Sequence, residues 1–321
     1  MFSHFVLVSF ALFLLVAIVV FFIGPRVDID STIHPIKLGN DLDLFLHNSE
    51  AALTDITPGT EKKIIWAKEK GVKTPVSVVY IHGFTASRQE SAPLSDMVAD
   101  KLGANLFYTR LTGHGRGTEG MYDASVNHWL NDAHEALEIG RRIGDKVVVI
   151  GMSAGGALSF WLSTQPGAKD VTAFVLISPS FKIMDSNTRF LLWPWGRQIA
   201  ELAVGKVRCR TTHNPQHDRY WTNCYPTSAL MPLKGMVKFV HALDFKSIKK
   251  PMLMIVSPED SVIDARETIA IFEKIGSDKK ELVEYDDTQD PSHHILAGEI
   301  MSPLSTTPIA NIIVDFIKSL H

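Results

Sequence analysis

The sequence predicts an α/β fold: a mostly parallel central sheet with helices on both faces, an inserted cap, and one N-terminal transmembrane helix. Three observations point there. Short apolar, β-branched runs recur along the chain, and continuous runs of that length suit strands covered on both faces. Helical patterns alternate with them, as in repeated strand–helix–strand units. The chain opens on an uncharged apolar stretch long enough to cross a bilayer.

That stretch, residues 5–23, reads FVLVSFALFLLVAIVVFFI, with Ser9 its single polar side chain. As a helix it covers roughly 28 Å, close to the hydrocarbon thickness of a membrane. Gly24 and Pro25 end it. A cleaved signal peptide calls for a basic n-region, a shorter apolar run and a small-x-small cleavage site. No Lys or Arg precedes this run, and IGPRVD follows it. The expectation is an uncleaved anchor over residues 1–25, placing the protein at a membrane. Arg26 and Lys37 tilt the positive-inside count slightly toward a cytoplasmic catalytic domain, but two charges do not fix the side.

Residues 26–70 read as a lead-in with the first strands, and 71–321 as the main domain. Strands are expected at 76–81, 105–111, 146–150, 171–177, 251–256 and 281–285. Helices are expected at 91–102, 124–143, 154–164, 264–275 and 304–320. Between Ser180 and Lys250 no core strand is evident, and Trp193, Trp195 and Trp221 fall there with several prolines. A connection that long is usually functional or a small subdomain. It is read as a cap over about 181–250. Its tryptophans suit either an acyl pocket or the cap's own core.

The charge balance, 32 basic against 35 acidic residues, gives nucleic acid no basic surface to bind. The two cysteines, Cys209 and Cys224, form neither a disulfide framework nor a zinc pattern. They are equally compatible with one disulfide, which implies an oxidising compartment, and with two free thiols. His213 and His217 are four apart, but Pro215 between them speaks against a helical zinc pair. His128 and His134 fall on an amphipathic helix as surface or boundary residues. No metal and no cofactor is expected.

Residues 151–155 read Gly-Met-Ser-Ala-Gly, after the strand KVVVI and before the helix ALSFWLSTQ. A strand–turn–helix with glycines on either side of a serine thrusts that serine out on a strained turn. A Cβ at Gly151 or Gly155 would clash where strand and helix pack. Ser153 is therefore the candidate nucleophile, at a helix N-terminus that favours developing negative charge. Acyl transfer also needs two N–H donors for the tetrahedral oxygen. Ala154 follows the nucleophile, and Phe84 lies in the Tyr-Ile-His-Gly-Phe segment after an early strand. His82 reads as a loop-holding residue rather than as a base.

The segments IHGF (81–84), RLTGHGRG (110–117), GMSAGG (151–156), PMLMIVSPEDSVI (251–263) and SHHILAG (292–298) occur in order. Together they resemble α/β-hydrolases of the monoacylglycerol lipase and lysophospholipase-like esterase group, over roughly residues 75–320. The resemblance implies the α/β-hydrolase fold and a triad in chain order Ser, acid, His. It picks Asp260, two residues before Val262-Ile263, with Glu259 and Asp264 as alternatives. It picks His294, followed by two aliphatic residues, with His293 beside it. Gly113-His114-Gly115-Arg116 matches the family's loop near the site and is read as a turn with ordinary surface charge. The implied activity is carboxylic-ester hydrolysis on a lipid-like substrate through a Ser153–Asp260–His294 triad. Acyl transfer, amide hydrolysis and a catalytically dead, membrane-tethered binding protein are the rival readings.

Overall fold

A computed structural model describes residues 2–320. Among the described residues there are nine strands: β1 Lys63–Ile65, β2 Thr74–Ile81, β3 Asn105–Tyr108, β4 Gly144–Met152, β5 Val171–Ile177, β6 Val207–Cys209, β7 Cys224–Pro226, β8 Met252–Val256 and β9 Lys280–Glu284. The helices are α1 Phe2–Phe22, α2 Leu42–Ala51, α3 Leu94–Leu102, α4 Gly117–Gly120, α5 Val126–Ile143, α6 Ala154–Leu162, α7 Gly196–Val204, α8 Pro215–Tyr220, α9 Leu230–His241, α10 Ala265–Lys274 and α11 Pro303–Ser319. Seven strands form one sheet in the order β1-β3-β2-β4-β5-β8-β9, parallel except for β1.

The continuous apolar runs are explained by burial on both faces. Val79, Ile81, Val149, Phe174 and Met254 alternate into a core completed by α5, α6 and α9. Their neighbours Val78, Tyr80, Ile150, Val175 and Ile255 enter a second core under α3 and α11. Tyr80 lies opposite Ile150, Ile150 opposite Val175, and Val175 opposite Leu253, so the central strands finish near one level. Loops leaving those carboxyl ends converge there.

Element ends follow local chemistry. Helix α5 starts at Val126 because the Ser125 hydroxyl accepts from the His128 N–H at 3.0 Å. The expected strand 105–111 is shorter. Pairing stops at Tyr108, and Arg110 leaves the ladder to clamp Glu50 with two hydrogen bonds of 3.0 and 2.8 Å. The lead-in holds α2 and the single strand β1 rather than several strands. The 181–250 interval contains α7, α8, α9 and the antiparallel pair β6–β7, whose facing Cys209 and Cys224 form a disulfide. Met236 and Val240 of α9 belong to the main core.

Helix α1 is apolar, and it is exposed from His4 to Val20. Its end is tied to the body. Trp195 donates its ring N–H to the Val20 carbonyl at 2.9 Å and its backbone N–H to Pro25 at 2.9 Å.

Helix α6 lies so close to β2 that a Cβ on Gly155 would stand 2.0 Å from the Ile81 carbonyl oxygen. Gly155→Ala is expected to cost about 1–3 kcal/mol or more by overpacking, read as a lowered urea midpoint at unchanged slope.

Candidate active site

Ser153 joins β4 to α6 in a conformation L-residues rarely adopt, φ 54° and ψ −116°. Three backbone hydrogen bonds hold it there. Its N–H donates to Ile177 at 2.9 Å, and its carbonyl accepts from Ala157 at 3.1 Å and Ser180 at 2.9 Å. The expected clash is also present at Gly151, where a Cβ would lie 2.3 Å from the Gly155 carbonyl oxygen. The side chain is thus pushed out at the carboxyl end of the sheet.

His294 Nε2 lies 2.8 Å from Ser153 Oγ, and His294 Nδ1 lies 2.7 Å from Asp260 Oδ2. The carboxylate accepts the Nδ1 proton, which leaves Nε2 as acceptor for the serine hydroxyl. Asp260 Oδ1 is filled by the N–H groups of Val262 and Ile263 at 2.8 and 2.9 Å. One carboxylate therefore braces its own loop and aligns the imidazole.

The alternatives point elsewhere. Glu259 is exposed. Asp264 caps α10 and pairs with Lys182 and Arg266. His293 turns away on a positive φ of 53° and contacts Asp286 at 2.9 Å.

Several residues at the site went unread in the sequence. Asp290 Oδ2 accepts from the N–H groups of His294 and Ile295 at 3.0 and 2.8 Å, and from Ser292 Oγ. It fixes the loop that presents the imidazole. Ser180 Oγ is 3.1 Å from Ser153 Oγ. Glu90, fully enclosed, receives the Gly83 N–H at 2.6 Å and the Tyr80 hydroxyl at 2.8 Å. Asp290 stands two residues before Ser292, the spacing of an Asx turn, which is a local signal. Glu90 and Ser180 carry none, because the residues they bond, seven and ten residues away for Glu90 and 27 for Ser180, make no recognisable local motif with them.

Burial opposes charging of His294, but Asp260, with Asp290 and Glu90 behind it, outweighs burial and raises the imidazole above its ordinary value. Burial pushes Glu90 up to about 7, against the Tyr80 hydroxyl, the Gly83 N–H and His294. Burial also opposes ionisation of Asp290, yet the hydrogen bonds it receives hold it below the usual carboxylate range.

The loop after β2 approaches so closely that a Cβ on Gly83 would meet Ser153 Cβ at 3.0 Å. The N–H groups of Phe84 and Ala154 donate to no acceptor among the described residues. His82 holds this loop from below. Its Nδ1 donates to the Gly83 carbonyl at 2.9 Å, and its Nε2 accepts from the Leu111 N–H at 3.0 Å. Burial lowers it to about 4, so it stays neutral. The reading of residues 113–116 as an ordinary surface turn needs correction. His114 is fully buried, its ring 5.0 Å from His82 and 6.1 Å from Phe84. The glycines around it let the chain turn inward, so the histidine fills space beneath the loop.

A cavity of about 320 Å³ opens over Ser153 and His294. Phe84, Ile183, Trp221, Leu233, Ile263 and Met301 give it apolar wall. Of the cap tryptophans only Trp221 reaches it. Trp193 and Trp195 pack at the end of α1 instead.

A family model described as serine aminopeptidase, S33, matches residues 73–297. The thermostable monoacylglycerol lipase of Bacillus sp. (strain H-257) is 27% identical over 225 residues, covering 65% of this chain and 80% of the lipase. Among solved structures, a metagenome-derived lipolytic enzyme superposes with a TM-score of 0.66 at 22% identity, over 82% of this chain and 99% of its own. The monoacylglycerol lipase of Paleococcus ferrophilus gives 0.60 at 16% identity, over 81% and 98%. A soluble variant of the Saccharomyces cerevisiae monoglyceride lipase gives 0.58 at 13%, over 92% and 99%.

Two outcomes follow from the electrostatics. Ser153 can surrender its proton only to neutral His294, so its labelling by a fluorophosphonate should accelerate with pH through an apparent pKa above 6.5. Glu90→Gln removes negative charge near the imidazole and should move that inflection to lower pH. A rate–pH profile of labelling reads both.

Proposed function

Since the chain belongs to the serine aminopeptidase S33 family of α/β-hydrolases, we propose that it hydrolyses carboxylic esters through an acyl-enzyme on Ser153. Its class is serine ester hydrolase, in keeping with its lipase and esterase relatives. The observation that carries the mechanism is the unbroken relay from Ser153 Oγ through His294 to Asp260, beneath two uncommitted N–H groups.

In the first step His294 Nε2 takes the hydroxyl proton as Ser153 Oγ bonds to the ester carbonyl carbon. The N–H groups of Phe84 and Ala154 receive the oxyanion. Asp260 stabilises the imidazolium without taking its proton. The carbon–oxygen bond to the alcohol then breaks, and His294 returns the proton to the departing oxygen. Water repeats the sequence on the acyl-enzyme and frees the acid.

A lipid-like ester, a monoacylglycerol or a lysophospholipid, suits the site. The apolar wall over Ser153 accepts a chain, and the Bacillus relative is a monoacylglycerol lipase. Amide hydrolysis or acyl transfer would use the same triad, and competing alcohols or amines in a product analysis separate them.

Helix α1 supports a membrane anchor with the catalytic domain held close to the bilayer. The Cys209–Cys224 bond favours an oxidising compartment for that domain, against the slight bias of Arg26 and Lys37.

Ser153→Ala should abolish fluorophosphonate labelling and lower ester turnover by about 10⁴-fold or more. Retained labelling places the nucleophile elsewhere. Deleting residues 1–25 should move the protein from the membrane fraction to the soluble one with labelling preserved. A mature N-terminus found beyond residue 25 would instead identify a removed signal.

A further inference from the structure

The cavity over Ser153 has two chemistries. Ile183, Leu233, Val262 and Ile263 are apolar, whereas the segment 210–217 brings Arg210, Thr211, His213 and His217 to it. Arg210 follows Cys209 at the end of β6. The residue is exposed overall, but its guanidinium reaches in to the buried Thr85 hydroxyl, one residue beyond Phe84, and lies 5.7 Å from the Tyr225 ring centre. Among the described residues it pairs with no carboxylate.

His217 is buried, its ring stacked on His213 at 5.4 Å. The His213 N–H points to its Nδ1 at 3.3 Å, which leaves the proton on Nε2. Burial, with His213 and Arg210 nearby, lowers it to about 4, so it remains a neutral donor.

The carboxylates of the same cavity are committed. Asp290 is occupied by the His294 loop, and Glu90 by Tyr80 and Gly83. An unpaired guanidinium beside a hydrogen-bond donor calls for an anion. It repels the free ammonium an aminopeptidase substrate would present.

We propose that Arg210 and His217 form a subsite for the phosphate of a single-chain lipid ester. The preferred substrate is then a lysophospholipid with an anionic headgroup rather than a neutral monoacylglycerol. This rests on the reading of Ser153 as acyl acceptor. The apolar wall takes the acyl chain, so the headgroup, on the alcohol side of the scissile bond, meets the cationic segment. An Arg fork binds two phosphate oxygens at once, a geometry an uncharged glycerol cannot exploit.

The test compares kcat/KM for 1-oleoyl-lysophosphatidylglycerol and 1-oleoylglycerol, using the full chain in detergent micelles. The wild type should favour the phospholipid, and Arg210→Gln should lower the ratio of the two values about ten- to a hundred-fold. Arg210→Lys should keep part of the preference. If Arg210 merely props the Thr85 loop, both values fall together and the ratio holds, which overturns the proposal. A wild type that prefers oleoylglycerol overturns it too. Fluorophosphonate labelling of Ser153 separates the two levels. With labelling intact and the ratio unmoved, only the subsite fails; without wild-type labelling, the ester-hydrolase reading falls and the subsite with it.

Discussion

The site depends on how closely helix α6 lies against the middle of the sheet. Gly151 and Gly155 leave no room for side chains between the turn, the helix and the Ile81 carbonyl. That contact drives Ser153 into a positive φ and lifts its hydroxyl beyond the strand ends. It also sets the Ala154 N–H beside the serine, and the same tightness brings Gly83 up to Ser153 Cβ. One packing constraint thus fixes Ser153 and the N–H groups beside it.

Each carboxylate at the site is engaged by its own set of donors. Asp260 faces the imidazole. Asp290, enclosed nearby, is satisfied by the backbone of the loop carrying His294. Glu90 sits under the loop after β2 and gathers the Gly83 N–H and the Tyr80 hydroxyl. Enclosure alone would push Asp290 and Glu90 toward neutrality; donated hydrogen bonds hold Asp290 ionised, whereas Glu90, pushed up to about 7, stays near the middle of its titration at neutral pH. Behind this shell, His82 and His114 are kept uncharged by burial and serve as packing with hydrogen-bonding edges. His294 differs from His82 and His114 through its carboxylate partner.

The cap segment links three features that are separate in sequence. Its tryptophans at 193 and 195 meet the end of α1, and its 210–217 stretch meets the catalytic cavity. The Cys209–Cys224 bond ties β6 to β7 just before Arg210.

Local sequence determined six strands of the central sheet, the order of the motifs and the exposed turn at Ser153, because apolar runs and a glycine-flanked turn act over a few residues. The apolar reach of residues 5–23 was equally legible. Family resemblance picked Asp260 and His294; by local pattern alone, Asp264 and His293 stood beside them. Only the tertiary structure sent His293 toward Asp286 and His294 toward Ser153, since a one-residue change of φ in a loop reverses where a ring points. The same holds for Glu90, Ser180 and Arg210, whose partners are brought to them by the closing of the sheet and the folding of the cap. A side chain's neighbours across the fold leave no trace in its flanking residues, so their roles were decided by packing.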